Sequence, residues 1–223
     1  MAILQARLVA LTQPLIELRV PDAEGLIAFC ARVSNPANQD KDVGGLLNYC
    51  IRNKHWSVFE MANAVVEVEA PRDISRQLLR HRSFLFQEFS QRYSDQIEFT
   101  DRDFRSQDHK NRQNSFDDLP LEVQLKAQDI VNWHIAAASE DYKQLLGKDY
   151  NIAKECARVI LPEGLTMSRL YVNGTVRSWL HYLDIRDDPG VTQWEHVVLA
   201  REIRKVLIPA FPSIFKSFVD DQK

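Results

Sequence analysis

No segment of this chain can close into a glycine-rich phosphate loop. The glycines fall at Gly25, Gly44, Gly45, Gly147, Gly164, Gly174 and Gly190, and no spacing among them matches the glycine turn of dinucleotide folds or of P-loop proteins. Neither type of glycine-rich nucleotide-binding loop can therefore be drawn here. If such a chain holds a nucleotide, side chains and helix N-termini must carry the phosphates. The placement of the arginines then becomes the next constraint.

The arginines cluster. Arg72, Arg76, Arg80, Arg82 and Arg92 share one short region, centred on Arg80-His81-Arg82-Ser83-Phe84-Leu85-Phe86-Gln87-Glu88-Phe89-Ser90-Gln91-Arg92. Guanidinium forks bind phosphate oxygens bidentately, so this density of donors suits a ligand with several phosphates. The formal net charge of the whole chain is −3. A local basic cluster on a mildly acidic protein favours a small anionic ligand over a long nucleic acid. In an extended segment Glu88, Ser90 and Arg92 share one side while Phe89 anchors the other. The bland alternative is a solvated basic helix end, where cations meet the helix dipole. A second alternative reads the interleaved Phe84, Phe86, Phe89 and Tyr93 as a stacking surface for single-stranded nucleic acid. Ser90 as a nucleophile activated by His81 lacks both an elbow motif and a third, orienting group.

The coarse pattern predicts an α+β domain over residues 1–223, an antiparallel sheet surrounded by helices. Residues 7–12 and Ala64–Ala70 read as strands, and Asp22 caps a helix running to about Val33. Another helix covers about Lys41–Asn53, with His55–Glu60 an aromatic-rich irregular turn. Pro71 opens a helix that runs into the basic motif. There Gln77, Arg80 and His81 share a face at i, i+3, i+4, with Ile74 and Leu78 turned inward. Ser83–Tyr93 reads as a loop leading into a strand, and residues 95–118 as a polar surface loop. A long helix spans Leu121–Leu146, closed by Gly147, with Val131, Ile135, Ala138, Tyr142 and Leu145 at helical spacing. A short helix covers Ala153–Ile160, a strand Thr166–Val172, an Asn173-capped helix continues to Asp187, and a last helix runs Trp194–Leu207.

Cys30, Cys50 and Cys156 are odd in number and widely spaced, which fits reduced thiols and neither a disulfide framework nor a zinc site. Cys30 and Cys50 read as small buried hydrophobes, and Cys156 is expected to pack rather than react. His109 in the polar loop has no spaced partners, so no metal is expected. His134 reads as a packed or surface histidine, and His196 as a support for helix packing. The N-terminus lacks the apolar run of a signal peptide and no segment approaches membrane-spanning length, so a cytoplasmic protein is expected.

Arg80-His81-Arg82, seven further residues and then Ser90 resembles the signature of the flavin-dependent thymidylate synthases. Other segments follow in that family's order: His55-Trp56-Ser57-Val58-Phe59-Glu60, Arg76-Gln77, Ala157-Arg158-Val159-Ile160-Leu161-Pro162, then Arg177, Ile185 and Arg186, and Gln193-Trp194-Glu195. The resemblance implies an FAD enzyme that converts dUMP to dTMP with methylenetetrahydrofolate as carbon donor and NADPH as reductant. It also implies a homotetramer with active sites shared among subunits, and neither nucleic-acid nor membrane partners. By the same resemblance Ser57, Arg80, His81, Arg82, Glu88 and Arg177 contact FAD. Thr175 and His181 stand where members of the family carry asparagines on the flavin. The dUMP pocket takes Gln77, Leu78, Leu79, Arg80, Glu88, Phe89, Ser90, Gln91, Arg92, Arg158 and Arg186, with Arg186 the catalytic group near the pyrimidine N3. A nucleotide-binding regulator that keeps the pocket without turnover is the remaining alternative.

Helix geometry adds a separate constraint. Arg177 and Arg186 lie nine residues apart, so a regular helix points them in nearly opposite directions. They serve one site only if the helix ends early or if different subunits supply them.

Overall fold

In the computed structural model, which describes residues 4–39 and 41–216, the central element is a four-stranded antiparallel sheet. Its order is β1 (Gln5–Leu11), β2 (Asn63–Pro71), β6 (Met167–Thr175) and β3 (Leu85–Glu88). Strict alternation sorts the central strands: Ala64, Val66, Val68 and Ala70 of β2 and Leu170 and Val172 of β6 are all fully buried. Residues of opposite parity form ion pairs, Arg7 with Glu67 and Arg169 with Glu69. Core helices thus cover one face of the sheet rather than surrounding it, because the other face is charged and solvated.

Those helices are α1 (Ala23–Ala31), α2 (Gly44–Arg52) and α3 (Arg72–Leu79), and later in the chain α6 (Val176–Arg186), α7 (Trp194–Leu207) and α8 (Pro212–Phe215). Asp22 caps α1 as expected, its carboxylate accepting from Gly25 N at 2.8 Å. His55–Glu60 is more regular than an irregular turn: Trp56–Met61 forms a 3-10 helix that buries Phe59. The segment 95–118 carries a two-strand ribbon, β4 (Ser106–Gln107) with β5 (Ser115–Phe116). It is also pinned to the body, since Arg102 meets Asp73 and the Gly164 carbonyl, and Arg105 meets Glu195.

Around the motifs the elements depart from expectation. Asn173 does not cap α6; it remains in β6, and Thr175 takes the cap, accepting from Ser178 N at 3.2 Å. Pairing with β2 carries β6 to Thr175 because nine residues of the partner strand are available. Order is also reversed after the basic motif. Strand β3 comes first, and the turn follows, closed by Tyr93 N to Ser90 O at 3.1 Å.

The long helix α4 runs Leu121–Leu146, and the only fully buried residue along its 26 is Tyr142. Leu121, Leu125, Ile130 and Trp133 are all exposed. Short α5 (Lys154–Ala157) packs against it. Among the described residues no helix is long and apolar enough to cross a membrane.

Candidate active site

Helix α3 buries Ile74 and Leu78 against the sheet and ends at Arg80, its C-cap. Gln77 therefore projects from the last helical turn, whereas Arg80-His81-Arg82 form the turn beyond it and do not share its helix face. What holds that turn is Phe84. Its ring packs on Trp179 at 4.4 Å and on Tyr182 at 5.8 Å between centroids. Gly174 of β6 lies directly beneath, where any Cβ would collide with the Phe84 ring.

Neighbouring arginines are neutralised within the chain. Arg72 approaches Glu88 at 3.9 Å, Arg76 meets Glu163, and Arg92 meets Glu155 at 3.1 Å. Among the described residues Arg80 and Arg82 have no carboxylate partner, and both are exposed. Two uncompensated cations two residues apart suit a ligand with more than one phosphate.

His81 sits between them, half-buried, with its ring edge-on to Tyr182 at 5.1 Å. Its Nε2 accepts from Arg186 Nε at 3.0 Å. Burial, then the charges of Arg186, His181 and Arg80, pull its pKa down to about 4. The imidazole is neutral at physiological pH, with its proton on Nδ1. Burial also lowers the Arg186 pKa, yet arginine starts so high that it stays charged. A cation held by a neutral partner keeps its full field for whatever binds next.

At the other end of α6, Arg177 donates to Glu60 at 2.8 Å. It lines a cleft of about 900 Å³ together with Arg52, Lys54, Trp56, Ser83, His181 and Asp184. Of the expected flavin residues, Arg177 and His181 line this cleft, and Ser57 is exposed on the 3-10 helix that supplies Trp56 and Glu60. Thr175 spends its hydroxyl on the α6 cap and on Ser178 Oγ at 3.1 Å. Glu88 lies at the far end of β3, accepting from Ser168 Oγ at 2.9 Å, and does not line the cleft. Arg52 and Lys54 went unnoticed in the sequence because they stand outside the ordered motifs. Only their position just before His55-Trp56-Ser57 marked them.

The expected nucleotide residues form two groups in one chain. Gln77 and Arg186 gather around Tyr182 and His196, joined there by His81, which was expected on the flavin. Arg92 and Arg158 converge instead on Glu155, one on its carboxylate and the other on its backbone oxygen at 3.2 Å. Between Ser90 and Arg92 the expected alternation is lost, because the chain turns there and buries Gln91. Leu78 is wholly core and Leu79 packs against the core, so at Leu78 only the backbone faces outward. Phe89 lines a separate cavity of about 290 Å³ with Gln96, Glu98 and Arg169. Cys156 is exposed rather than packed and Cys30 is half-buried, whereas buried Cys50 has its thiol pKa pushed up by burial.

Residues 15–213 match the family model described as thymidylate synthase complementing protein. The chain is 48% identical over 217 residues to the probable flavin-dependent thymidylate synthase of Paramecium bursaria Chlorella virus 1, covering 96% of this chain and 98% of that protein. It is 44% identical over 216 residues to the flavin-dependent thymidylate synthase of Synechocystis, covering 95% and 97%. Among solved structures, a UMP/dUMP methylase, PolB from Streptomyces cacaoi bound with 5-Br dUMP, superposes with a TM-score of 0.82 at 25% identity. That match spans 99% of this chain and 96% of that one.

Proposed function

Since this chain belongs to the thymidylate synthase complementing proteins, the flavin-dependent thymidylate synthases, we propose that it methylates dUMP reductively. In the balanced reaction dUMP, methylenetetrahydrofolate, NADPH and a proton give dTMP, tetrahydrofolate and NADP⁺. FAD, when bound, supplies the hydride chemistry. The residues present fit that cofactor: Arg80 and Arg82 carry uncompensated charge, and Arg52, Lys54, Arg177 and His181 line one large cleft beside Trp56. Arg80, Arg82 and Arg177 would hold the flavin phosphates, and His181 and Ser57 its polar edges.

The observation that carries the reading is the Arg186–His81 pair. Carbon 5 of uracil becomes nucleophilic only as negative charge builds on the ring. A half-buried guanidinium with no carboxylate partner, as Arg186 has none among the described residues, stabilises such charge best, because low dielectric strengthens the attraction and nothing must reorganise. Neutral His81 aims the guanidinium without cancelling it. On this reading Arg186 is the catalytic group. Gln77, Arg80, Glu88, Ser90, Gln91, Arg92 and Arg158 form the nucleotide pocket, with the backbone around Leu78, Leu79 and Phe89.

A homotetramer with shared sites reconciles what one chain keeps apart. Arg177 and Arg186 face different surroundings, and Arg92 with Arg158 sits apart from Gln77 with Arg186. The exposed Leu121, Leu125, Ile130 and Trp133 of α4 give subunits an apolar surface to bury. Residues 1–223 would act as one catalytic domain, in the cytoplasm, with no nucleic-acid or membrane partner.

The test is spectroscopic. Purified protein is yellow, NADPH added anaerobically bleaches the flavin, and dUMP with methylenetetrahydrofolate then yields dTMP. UMP is run in parallel, because the Streptomyces neighbour is a UMP/dUMP methylase. A colourless protein that neither binds added FAD nor makes dTMP overturns the assignment, and an active monomer by light scattering overturns the shared site.

A further inference from the structure

Behind Arg186 and His81 runs a line of part-buried and buried hydrogen bonds whose direction has a single solution. It starts at Glu195, which is 5% exposed. Burial raises the pKa of this carboxyl, but the Arg105 hydrogen bond at 2.6 Å and further donors outweigh it and hold the group below its ordinary value. An ionised carboxylate only accepts, so Gln193 must turn its NH2 toward Glu195, at 3.0 Å. The Gln193 carbonyl oxygen then faces Gln77, which donates its own NH2 across 2.8 Å. That leaves the Gln77 carbonyl oxygen toward His196 Nδ1 at 3.2 Å, an arrangement that requires a proton on Nδ1.

His196 is fully buried, and burial, then the nearby charge of Arg186, holds its pKa down to about 3. The ring is therefore neutral, and Nε2 carries a lone pair. Tyr182 O–H donates to it at 3.1 Å, and burial keeps that hydroxyl protonated. Every link donates in one sense, from Tyr182 through His196, Gln77 and Gln193 to Glu195. An amide's two ends are alike in shape, so packing alone does not choose between them. Here the distant carboxylate does.

We propose that His196 and Tyr182 are positioning residues that lock the Gln77 amide in one of its two flipped orientations for recognition of the uracil. Gln77 keeps one N–H and one lone pair uncommitted to this line. A flip would exchange donor for acceptor and leave a uracil edge facing a like group. Tyr182 also packs against the His81 ring in a T-shaped arrangement, and His81 holds Arg186. One buried tyrosine thus backs both groups that would meet the base. The inference rests on the reading that Gln77 touches dUMP.

Two amide replacements separate positioning from packing in the FAD-loaded enzyme. His196→Asn places an N–H where Nδ1 stood, on the atom next to Cγ, and keeps the bond to Gln77. His196→Gln reaches the Nε2 position toward Tyr182 and leaves the Gln77 carbonyl unbonded. The expected result is dUMP affinity within about twofold of wild type for Asn and a roughly tenfold loss for Gln, the worth of one hydrogen bond. Flavin content should stay unchanged in both. In wild type, nitrogen-15 NMR should show His196 neutral with its proton on Nδ1. Equal dUMP affinity in the two variants, or a proton on Nε2 in wild type, overturns the proposal. Failure of wild type to bind dUMP at all would instead overturn the functional reading beneath it.

Discussion

The two ends of α6 hold their arginines in opposite ways. Arg177, at the start, leans on Glu60 at 2.8 Å over an open cleft. Arg186, at the finish, is half-buried and rests on neutral His81 at 3.0 Å. A carboxylate cancels most of the field its arginine would otherwise present, whereas a neutral imidazole fixes the geometry and leaves the charge in force. Arg177 must exchange Glu60 for an incoming anion. Arg186 has no carboxylate to exchange among the described residues. The contrast distinguishes an arginine that binds by trading partners from one preorganised to meet charge as it develops.

The largest effect should follow removal of the preorganised charge. Arg186→Ala is expected to lower dTMP formation about 10²–10³-fold, the usual cost of losing a preorganised electrostatic donor, while flavin absorbance per protein stays near wild type. If turnover and flavin fall together, the two ends of the helix are not distinct. Arg82→Glu comes next. Reversing an uncompensated charge should weaken FAD binding roughly tenfold to hundredfold, measured as flavin retained through gel filtration, and full retention would remove Arg82 from the cofactor.

Arg177→Ala should weaken FAD binding less, roughly fivefold, because its pairing with Glu60 already offsets the charge. Glu60→Gln should move affinity the other way by releasing Arg177 in advance. Matching losses in both variants would mean that the pair acts as a structural unit.

A smaller effect concerns acid. His81 and His196 have folded pKa values of about 4 and about 3, both below the roughly 6.5 of an unfolded histidine. As pH falls from about 6.5 toward 4 the unfolded chain takes up protons that the folded chain refuses, so stability falls with pH. Above about pH 7 neither group contributes a slope. The raised pKa of buried Glu24 opposes this trend, gaining stability as pH falls, so the clean measure is the difference between wild type and His196→Asn in urea midpoints at pH 7 and pH 5. Identical pH slopes would show that His196 is not held neutral by the fold. Smallest of all, Cys156→Ala should leave turnover within about twofold, since its exposed sulfur has no part in a mechanism without a protein nucleophile. Loss of dTMP formation by a folded, flavin-loaded variant would bring a thiol back into the chemistry.

Much of the secondary structure was readable because it depends on near neighbours. The spans Leu121–Leu146 and Trp194–Leu207 follow from apolar spacing alone, and the Asp22 cap from one carboxylate three residues before Gly25. The ordered motifs around Arg80-His81-Arg82, Arg158 and Arg186 were equally legible, as short strings whose residue types mark their chemistry. The burial of α4 was not. The same periodic pattern that buries Val197, Leu199, Ala200 and Ile203 in α7 leaves α4 with only Tyr142 fully buried, because period names a face and not what covers it.

Which charges cancel was also a tertiary decision. Arg177 finds Glu60 across 117 positions of sequence, and Gln77 reaches Gln193 across 116. Nothing local to Gln193-Trp194-Glu195-His196 announced a polar line running inward, and His196 read as a packing residue. Local sequence determines the backbone periods and the reactive groups in hand, since both rest on interactions within a few residues. The partner that neutralises a cation, orients an amide or keeps an imidazole uncharged is set by burial and by contacts between distant segments, and these exist only once the sheet and its helices have closed.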